Sequence, residues 1–274
     1  MKSVQLIYRA PQFSPNAVEK DKAILDAVGD RLQRFGVTIR KIAEEQLDDS
    51  LAADAFLSMG RLPCTLDLLK RKATEGFLVV NSGKAVENMG RMRLDSLMRQ
   101  WGIPVAPLMS DRDADGYWVK RGDASAQCKE DVIFAADRQA VEEALERFRR
   151  RGVTEVLVTE HVVGDLVKFY GVQGTDFFRC FYPTDDGITK FGDEEHNGQA
   201  RHYAFSEDLL QREAERLSEL TDVRVYGGDC IVREDGSFAI IDFNDWPSFS
   251  RCREEAAEAI ARIVIEEMKN QNKR

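Results

Sequence analysis

Apolar positions along this chain change spacing from segment to segment, and the changes mark out its elements. Residues 4–8 form a short, mainly apolar run of strand length. Ser14-Pro15 follows as a cap and first-turn pair, and then Val18, Leu25, Val28, Leu32 and Phe35 recur at helical spacing up to Gly36. Residues 38–42, 55–58 and 77–80 read as further strands, with Leu66, Leu69 and Lys70 in a helix between the last two. This is the βαβ rhythm of a small parallel sheet. A helix over 89–101 closes at Gly102 and Pro104, which marks a boundary.

Beyond it, residues 117–120 and 132–135 read as strands. The helix that follows opens at Asp137, lines up Val141, Ala144, Leu145 and Phe148, and stops at Gly152. Residues 156–159 form a buried-looking strand leading into a third region. There, 165–172 and 177–182 are strands, 209–220 is an amphipathic helix, and 226–244 is a hairpin. A last helix carries Ala256, Ile260, Ile263, Val264 and Met268. The fold class expected is α/β (α+β) in three lobes: residues 1–103, 104–160 and 161–274.

Composition narrows the function. The net charge of −9 argues against non-specific binding to nucleic acid or anionic membrane, because either needs a basic face. The basic helix end, Arg147 and Arg149 to Arg151, reads instead as a solvated face that suits the helix dipole. Apolar runs fall far short of the roughly 20 residues that cross a bilayer, and the first strand is too short for a signal-peptide core. A cytoplasmic protein is expected. The cysteines at 64, 128, 180, 230 and 252 are odd in number and widely spaced, which fits reduced thiols better than a disulfide framework or zinc site. Dinucleotide-fold, phosphate-loop and serine-elbow motifs are absent.

The strongest local signal is GGDCIVREDGSFAIIDFNDWPSF, residues 227–249. Asp235-Gly236 between two apolar runs predicts a two-residue hairpin loop. Counting back from it sets Asp229 directly opposite Asp242 and puts Asp229, Ile231, Arg233, Phe238, Ile240, Asp242 and Asn244 on one face. Like charges so placed, with Cβ atoms about 4.5 to 5.5 Å apart, are destabilising unless a cation lies between them. Two carboxylates and an amide oxygen suit Mg²⁺ held together with substrate phosphates. Asp245 reads as a cap for the turn before Trp246-Pro247.

This hairpin, D-x-(about twelve)-D/E-x-N before a Pro-containing loop and a helix, resembles the metal-binding core of the ATP-grasp superfamily. D-alanine–D-alanine ligase, glutathione synthetase, the glutamate-adding peptide ligases and the inositol trisphosphate 5/6-kinases share that core. Other segments fit the same order. VENMGRMRLDSLMRQWGIPVAP resembles the family's helix with a phosphate-binding basic residue, which would be Arg91 or Arg93. YWVKRGD resembles the second phosphate-binding segment, with Lys120 as the cation. VLVTEHVVGDLVKFYGV resembles the interlobe hinge, which would place Glu160 and the backbone of Val162 at the adenine and Asp165 or Lys168 near ribose, phosphate or acceptor. Arg179 in FFRCFYP corresponds to a basic residue that faces the transferred group.

The resemblance implies an ATP-grasp fold, with ATP and one or two Mg²⁺ ions held by Asp229, Asp242 and Asn244. The activity it implies is ligation: a small-molecule or peptide carboxylate attacks the γ-phosphorus, and an amine displaces the acylphosphate. Lys168 and Arg179 would act on the reacting groups, and Arg251 would help hold the acceptor. A kinase of a small polyol hydroxyl, with His196 or His202 as base, and a catalytically silent ATP-binding module are the competing readings. A homodimer is left open. The sequence departs from the family in two loops: RGDASAQCKED lacks the usual glycines of a phosphate lid, and DWPSF stands where Pro-Gly is common. Acceptor recognition is expected from the N-terminal lobe and residues 190–201.

Overall fold

A computed structural model of the chain describes residues 2–14, 18–48, 50–123, 128–185 and 196–271. Three sheets organise it. The first is parallel and four-stranded, built from β1 (Ser3–Tyr8), β2 (Thr38–Ala43), β3 (Ala55–Ser58) and β4 (Leu78–Val80) in the order β2-β1-β3-β4. Val4, Leu6 and Ile7 of β1 are fully buried, as a central strand covered on both faces requires.

Helix α1 (Val18–Arg34) turns Ile24, Leu25, Val28 and Leu32 onto the sheet, and Gly36 follows it with a left-handed φ of 77°. Helix α2 (Pro63–Thr74) connects β3 to β4. The single helix expected over 89–101 is instead preceded by a separate short one. Helix α3 (Gly83–Asn88) is capped by Ser82, whose hydroxyl accepts from the Ala85 N–H at 3.1 Å, and α4 (Arg91–Gln100) starts anew after Gly90.

The middle sheet has the order β6-β5-β7, from β5 (Tyr117–Arg121), β6 (Val132–Ala135) and β7 (Val156–Glu160), all antiparallel. It is backed by α5 (Arg138–Arg150), whose N-cap Asp137 accepts from the Ala140 N–H at 2.8 Å. Val141, Ala144 and Phe148 of α5 meet Tyr117 and Val119 in a core that belongs to this lobe alone. On the opposite face of the helix Glu146 pairs with the exposed Arg149 and Arg150, as a solvated face would.

The third sheet, β11-β10-β8-β9, is built from β8 (Asp165–Val172), β9 (Phe178–Phe181), β10 (Val225–Val232) and β11 (Phe238–Asp245). Helix α6 (Glu207–Thr221) covers one face through Leu210, Ala214 and Leu217. Helix α7 (Arg253–Gln271) covers the other, and it also packs on the first sheet. Ile260 and Val264 of α7 share one core with Val4, Leu6, Val28 and Leu32. The first and third sheets are thus joined through a common apolar core, whereas the middle sheet has its own. Among the described residues no helix is long and apolar enough to cross a membrane.

Candidate active site

The three sheets face one cleft of about 500 Å³. Its floor is the β10–β11 hairpin. That hairpin closes with three residues, Glu234 to Gly236, rather than the expected two: Arg233 N–H donates to the Ser237 carbonyl at 2.8 Å, and Gly236 takes a left-handed φ of 80°. The register therefore moves by one, so that Val232 opposes Phe238 and Cys230 opposes Ile240. A β-bulge then inserts Ile241 as an extra residue and restores the count, so Asp229 does oppose Asp242.

The bulge corrects the expected face. Phe238 and Ile240 point into the core with Cys230 and Val232, while Ala239 and Ile231 lie on the other side beside Val162 and Leu166. Close packing at this level explains Gly228. A Cβ there would lie 2.4 Å from the Asp242 carbonyl oxygen and 2.5 Å from the Phe169 ring.

Around the facing carboxylates three cations gather from two strands and a helix. Lys168 of β8 opposes Asp229 on its other flank, and its ammonium donates to both Asp229 oxygens at 3.0 and 3.1 Å. The Asn244 amide donates to Asp242 at 2.9 Å. Across the cleft, Lys120 of β5 reaches over to the Ile241 carbonyl at 3.3 Å, and Arg91 of α4 donates to the Arg121 carbonyl at 3.0 Å. Burial pushes the Asp242 carboxyl upward, but the charges of Arg91 and Lys120, the Asn244 amide and Lys168 outweigh it and hold it below the usual carboxylate range. Burial and the neighbouring Arg91 push the Lys120 ammonium down to about 8, against the pull of Asp242, Asp229 and Asp95.

Further along, the cleft turns apolar. Val162, Leu166 and Ile231 line it next to Ala106, with Glu160 and His161 at the edge. The Glu160 carboxylate accepts from the Ser110 hydroxyl at 3.0 Å, and its backbone N–H is taken by the Pro107 carbonyl at 2.8 Å. The Trp118 indole N–H donates to His161 Nδ1 at 3.1 Å, and burial first and His196 second lower the basicity of that imidazole.

The expected site residues separate here. Arg91, Lys120, Glu160, Val162, Lys168, Asp229, Asp242 and Asn244 all line the one cleft. Arg93, beside Arg91, is exposed and turned out of it. Asp165 is buried and its two oxygens accept from the backbone N–H groups of Arg201 and Tyr203, both at 2.8 Å, so it pins a loop instead of lining the cleft. Arg179 stands on the outer side of β9, where it pairs with Glu255 of α7 and lies over the Phe177 ring. His202 is engaged with Asp185 at 3.2 Å and with the Tyr182 ring, and His196 stacks on Phe134 at 4.2 Å. Arg251 lines the cleft and donates to the Tyr182 carbonyl at 3.2 Å. Residues 124–127 of the Gly-poor lid and 186–195 of the acceptor-side stretch lie outside the described residues.

The wall contributed by the first sheet was not foreseen residue by residue. Arg9, just past β1, and Arg61, just past β3, line the cleft and meet the fully buried carboxylate of Asp245. Asp245 therefore does not cap the Trp246 turn; it binds two guanidiniums from the N-terminal lobe. The signal available in the sequence was position: each arginine follows the carboxyl end of a parallel strand. Trp246 and Phe249, both with left-handed φ values of 43° and 47°, are anchored by complete burial in the core shared with the first sheet.

No family model and no curated protein matches the chain. Solved structures do. D-alanyl-alanine synthetase A from Vibrio cholerae O1 biovar eltor str. N16961 is 11% identical over 98% of both chains, with a TM-score of 0.69. A RimK domain protein ATP-grasp from Sphaerobacter thermophilus DSM 20745 is 17% identical over 96% of this chain and 99% of its own, at 0.66. The ATP-grasp ligase PsnB, complexed with minimal precursor, Mg and ADP, is 15% identical over 99% of this chain and 98% of its own, at 0.62. The chain has the ATP-grasp fold over its whole length, as the hairpin and its companion segments led one to expect.

Proposed function

We propose that the chain is a Mg-ATP-dependent ligase that activates a carboxylate as an acylphosphate for attack by an amine. The observation that carries this reading is the meeting of Asp229, Asp242 and Asn244 on β10 and β11 with Lys120 of β5 and Arg91 of α4, in a single cleft of an ATP-grasp fold. Its lobes are residues 1–103, 104–160 and 161–274, with nucleotide clamped between the second and third.

The donor set fits magnesium. Two carboxylates and an amide are oxygen ligands that leave coordination positions for phosphate oxygens and water, the usual way this ion is held in phosphoryl-transfer sites. When bound, the ion neutralises charge on the β- and γ-phosphates. Lys168 pairs with Asp229 in the present arrangement and would turn toward the γ-phosphoryl or the acceptor with a metal on that carboxylate.

Lys120 and Arg91 then hold the α- and β-phosphates, and the apolar surface of Val162, Leu166 and Ile231 receives the adenine, with Glu160 at its edge. An acceptor carboxylate oxygen attacks the γ-phosphorus as the bond to the ADP oxygen breaks. An amine next attacks the acyl carbon, and inorganic phosphate leaves. No side-chain nucleophile is needed; the protein positions groups and balances charge. Kinase chemistry needs a base for the hydroxyl proton, and neither His196 nor His202 is among the residues lining the cleft.

Calorimetry of ATP binding with and without Mg²⁺, followed by ADP release with carboxylic acids and hydroxylamine as the trapping amine, tests the proposal. Magnesium-dependent binding and hydroxamate formation support it. Binding without hydroxamate from any acid points to a silent ATP-binding module, and absence of ATP binding removes the assignment.

A further inference from the structure

The chain between β9 and α6 returns to the cleft, and its described part, residues 196–203, is fixed at both ends. At one end Asp165, the first residue of β8, accepts from the backbone N–H groups of Arg201 and Tyr203, and the Thr184 hydroxyl accepts from the Ala200 N–H at 3.2 Å. At the other end the His196 ring stacks on Phe134 at 4.2 Å and meets Trp118 edge-on at 5.3 Å. Phe134 and Trp118 pair across β6 and β5, so the segment spans from the third sheet to the middle one. Asn197 stands between these anchors. It lines the cleft, and its Oδ1 is shielded from solvent with no hydrogen-bond partner among the described residues. A shielded acceptor left unmatched is costly, and a donor on a molecule in the cleft relieves that cost.

Ionised phosphates and carboxylates only accept hydrogen bonds. The donors that Mg-ATP and the substrates offer are the adenine amino group, the two ribose hydroxyls and the incoming amine. In the ATP reading the adenine lies by Val162, which follows β7, whereas His196 docks on β5 and β6 in a sheet of order β6-β5-β7. The amine belongs at the γ-phosphoryl, beside Lys168 and Asp229. The anchor of residues 196–203 is at the other end of β8, where Asp165 pairs with Val232 three positions before Lys168 pairs with Asp229. Trp118, under the His196 ring, donates to His161 at the adenine edge and stands two residues before Lys120 on the same face of β5. Asn197 therefore follows a residue docked between the adenine edge and the lysine assigned to the phosphates. The part of ATP that spans those two places is the ribose.

We propose that Asn197 recognises the sugar of the nucleotide: its Oδ1 accepts from a ribose hydroxyl, so the site selects ribonucleotides over their deoxy analogues. This rests on the ATP-binding half of the reading above. His196 is a positioning residue, which holds Asn197 at the cleft by docking on Trp118 and Phe134 and does not itself line the cleft.

Calorimetry of the full chain with the magnesium complexes of ADP, 2′-deoxy-ADP and 3′-deoxy-ADP tests this. One deoxy analogue should bind about tenfold more weakly than ADP, the loss expected when a shielded acceptor loses its donor, and that analogue identifies the hydroxyl. Asn197→Ala should weaken ADP by about the same factor and leave the weaker analogue unchanged, so that the ratio falls to about one. Asn197→Asp keeps an acceptor oxygen and should keep the ratio, even where its charge lowers both affinities. His196→Ala should shrink the ratio through the lost docking, and it serves as the second variant if changes at Asn197 impair folding. Equal binding of ADP and both analogues to the wild type, or a ratio that survives Asn197→Ala, overturns the proposal. A ribose preference that depends on Asn197, without hydroxamate from any acid, sinks the ligase reading and leaves this one standing. Hydroxamate formed with ATP, together with equal affinity for ADP and its deoxy analogues, does the reverse.

Discussion

At the hairpin end of the cleft the charged groups come from strands that pair with one another, β8, β10 and β11, and they sit half-buried with hydrogen bonds that a ligand can replace. At the N-terminal end Arg9, Arg61 and Asp245 come from opposite ends of the chain and meet where Asp245 is completely buried. In the proposed reading the first arrangement takes metal and phosphate. The second is an ion-pair cluster that also fastens β11 to the first sheet. One end is expected to govern nucleotide affinity, and the other to contribute to stability.

The largest effect that would separate them is on folding. Removing one partner of a buried charge pair costs about 3–5 kcal/mol, so Asp245→Ala should lower unfolding stability in urea by that amount. Asp242→Ala, which removes one of two facing carboxylates, should cost much less. Comparable losses for the two would erase the distinction. Next in size, Asp242→Ala should weaken Mg-dependent ATP binding by about 10- to 100-fold in calorimetry, an effect that disappears when magnesium is omitted.

A smaller and more diagnostic effect concerns pH. In the proposed reading Lys120 holds phosphate as an ammonium, and its ordinary value is pushed down to about 8 in the ligand-free site. Below that value the proton is present and ATP affinity should be flat; above it the affinity should fall, by up to about tenfold per pH unit until the bound state also deprotonates. Lys120→Met should abolish the break, and a break that survives in this variant belongs to another group. Smallest of all, Arg179→Ala and Arg93→Ala should change ATP affinity by no more than about twofold and stability by about 0.5 kcal/mol, because both arginines sit on exposed surface away from the cleft.

Local pattern was sufficient for what depends on neighbours in the chain. Helical spacing fixed α1, α5, α6 and α7, and apolar runs between turn residues located nearly every strand, because burying one face is a local constraint on residue type. The facing of Asp229 and Asp242 was also legible, though by a route the structure revises: a three-residue loop slips the register by one, and the bulge at Ile241 slips it back. Helix α3 was missed because six residues are too few to show a period. The direction of Arg179 could not be read, since β9 is an edge strand and α7, which supplies Glu255, comes much later in the chain.

The sequence by itself determined most of the elements, the α/β class and the facing of Asp229 and Asp242, since each follows from residue spacing and turn chemistry over a few tens of residues. Only the tertiary structure decided that Lys120 crosses to β11, that Asp165 serves a loop, and that Asp245 joins Arg9 and Arg61 in one buried cluster. The Asp245 contacts depend on how α7 binds the third sheet to the first, and the Lys120 contact on how the middle sheet faces the hairpin; no local periodicity records which charge will meet which across distant surfaces.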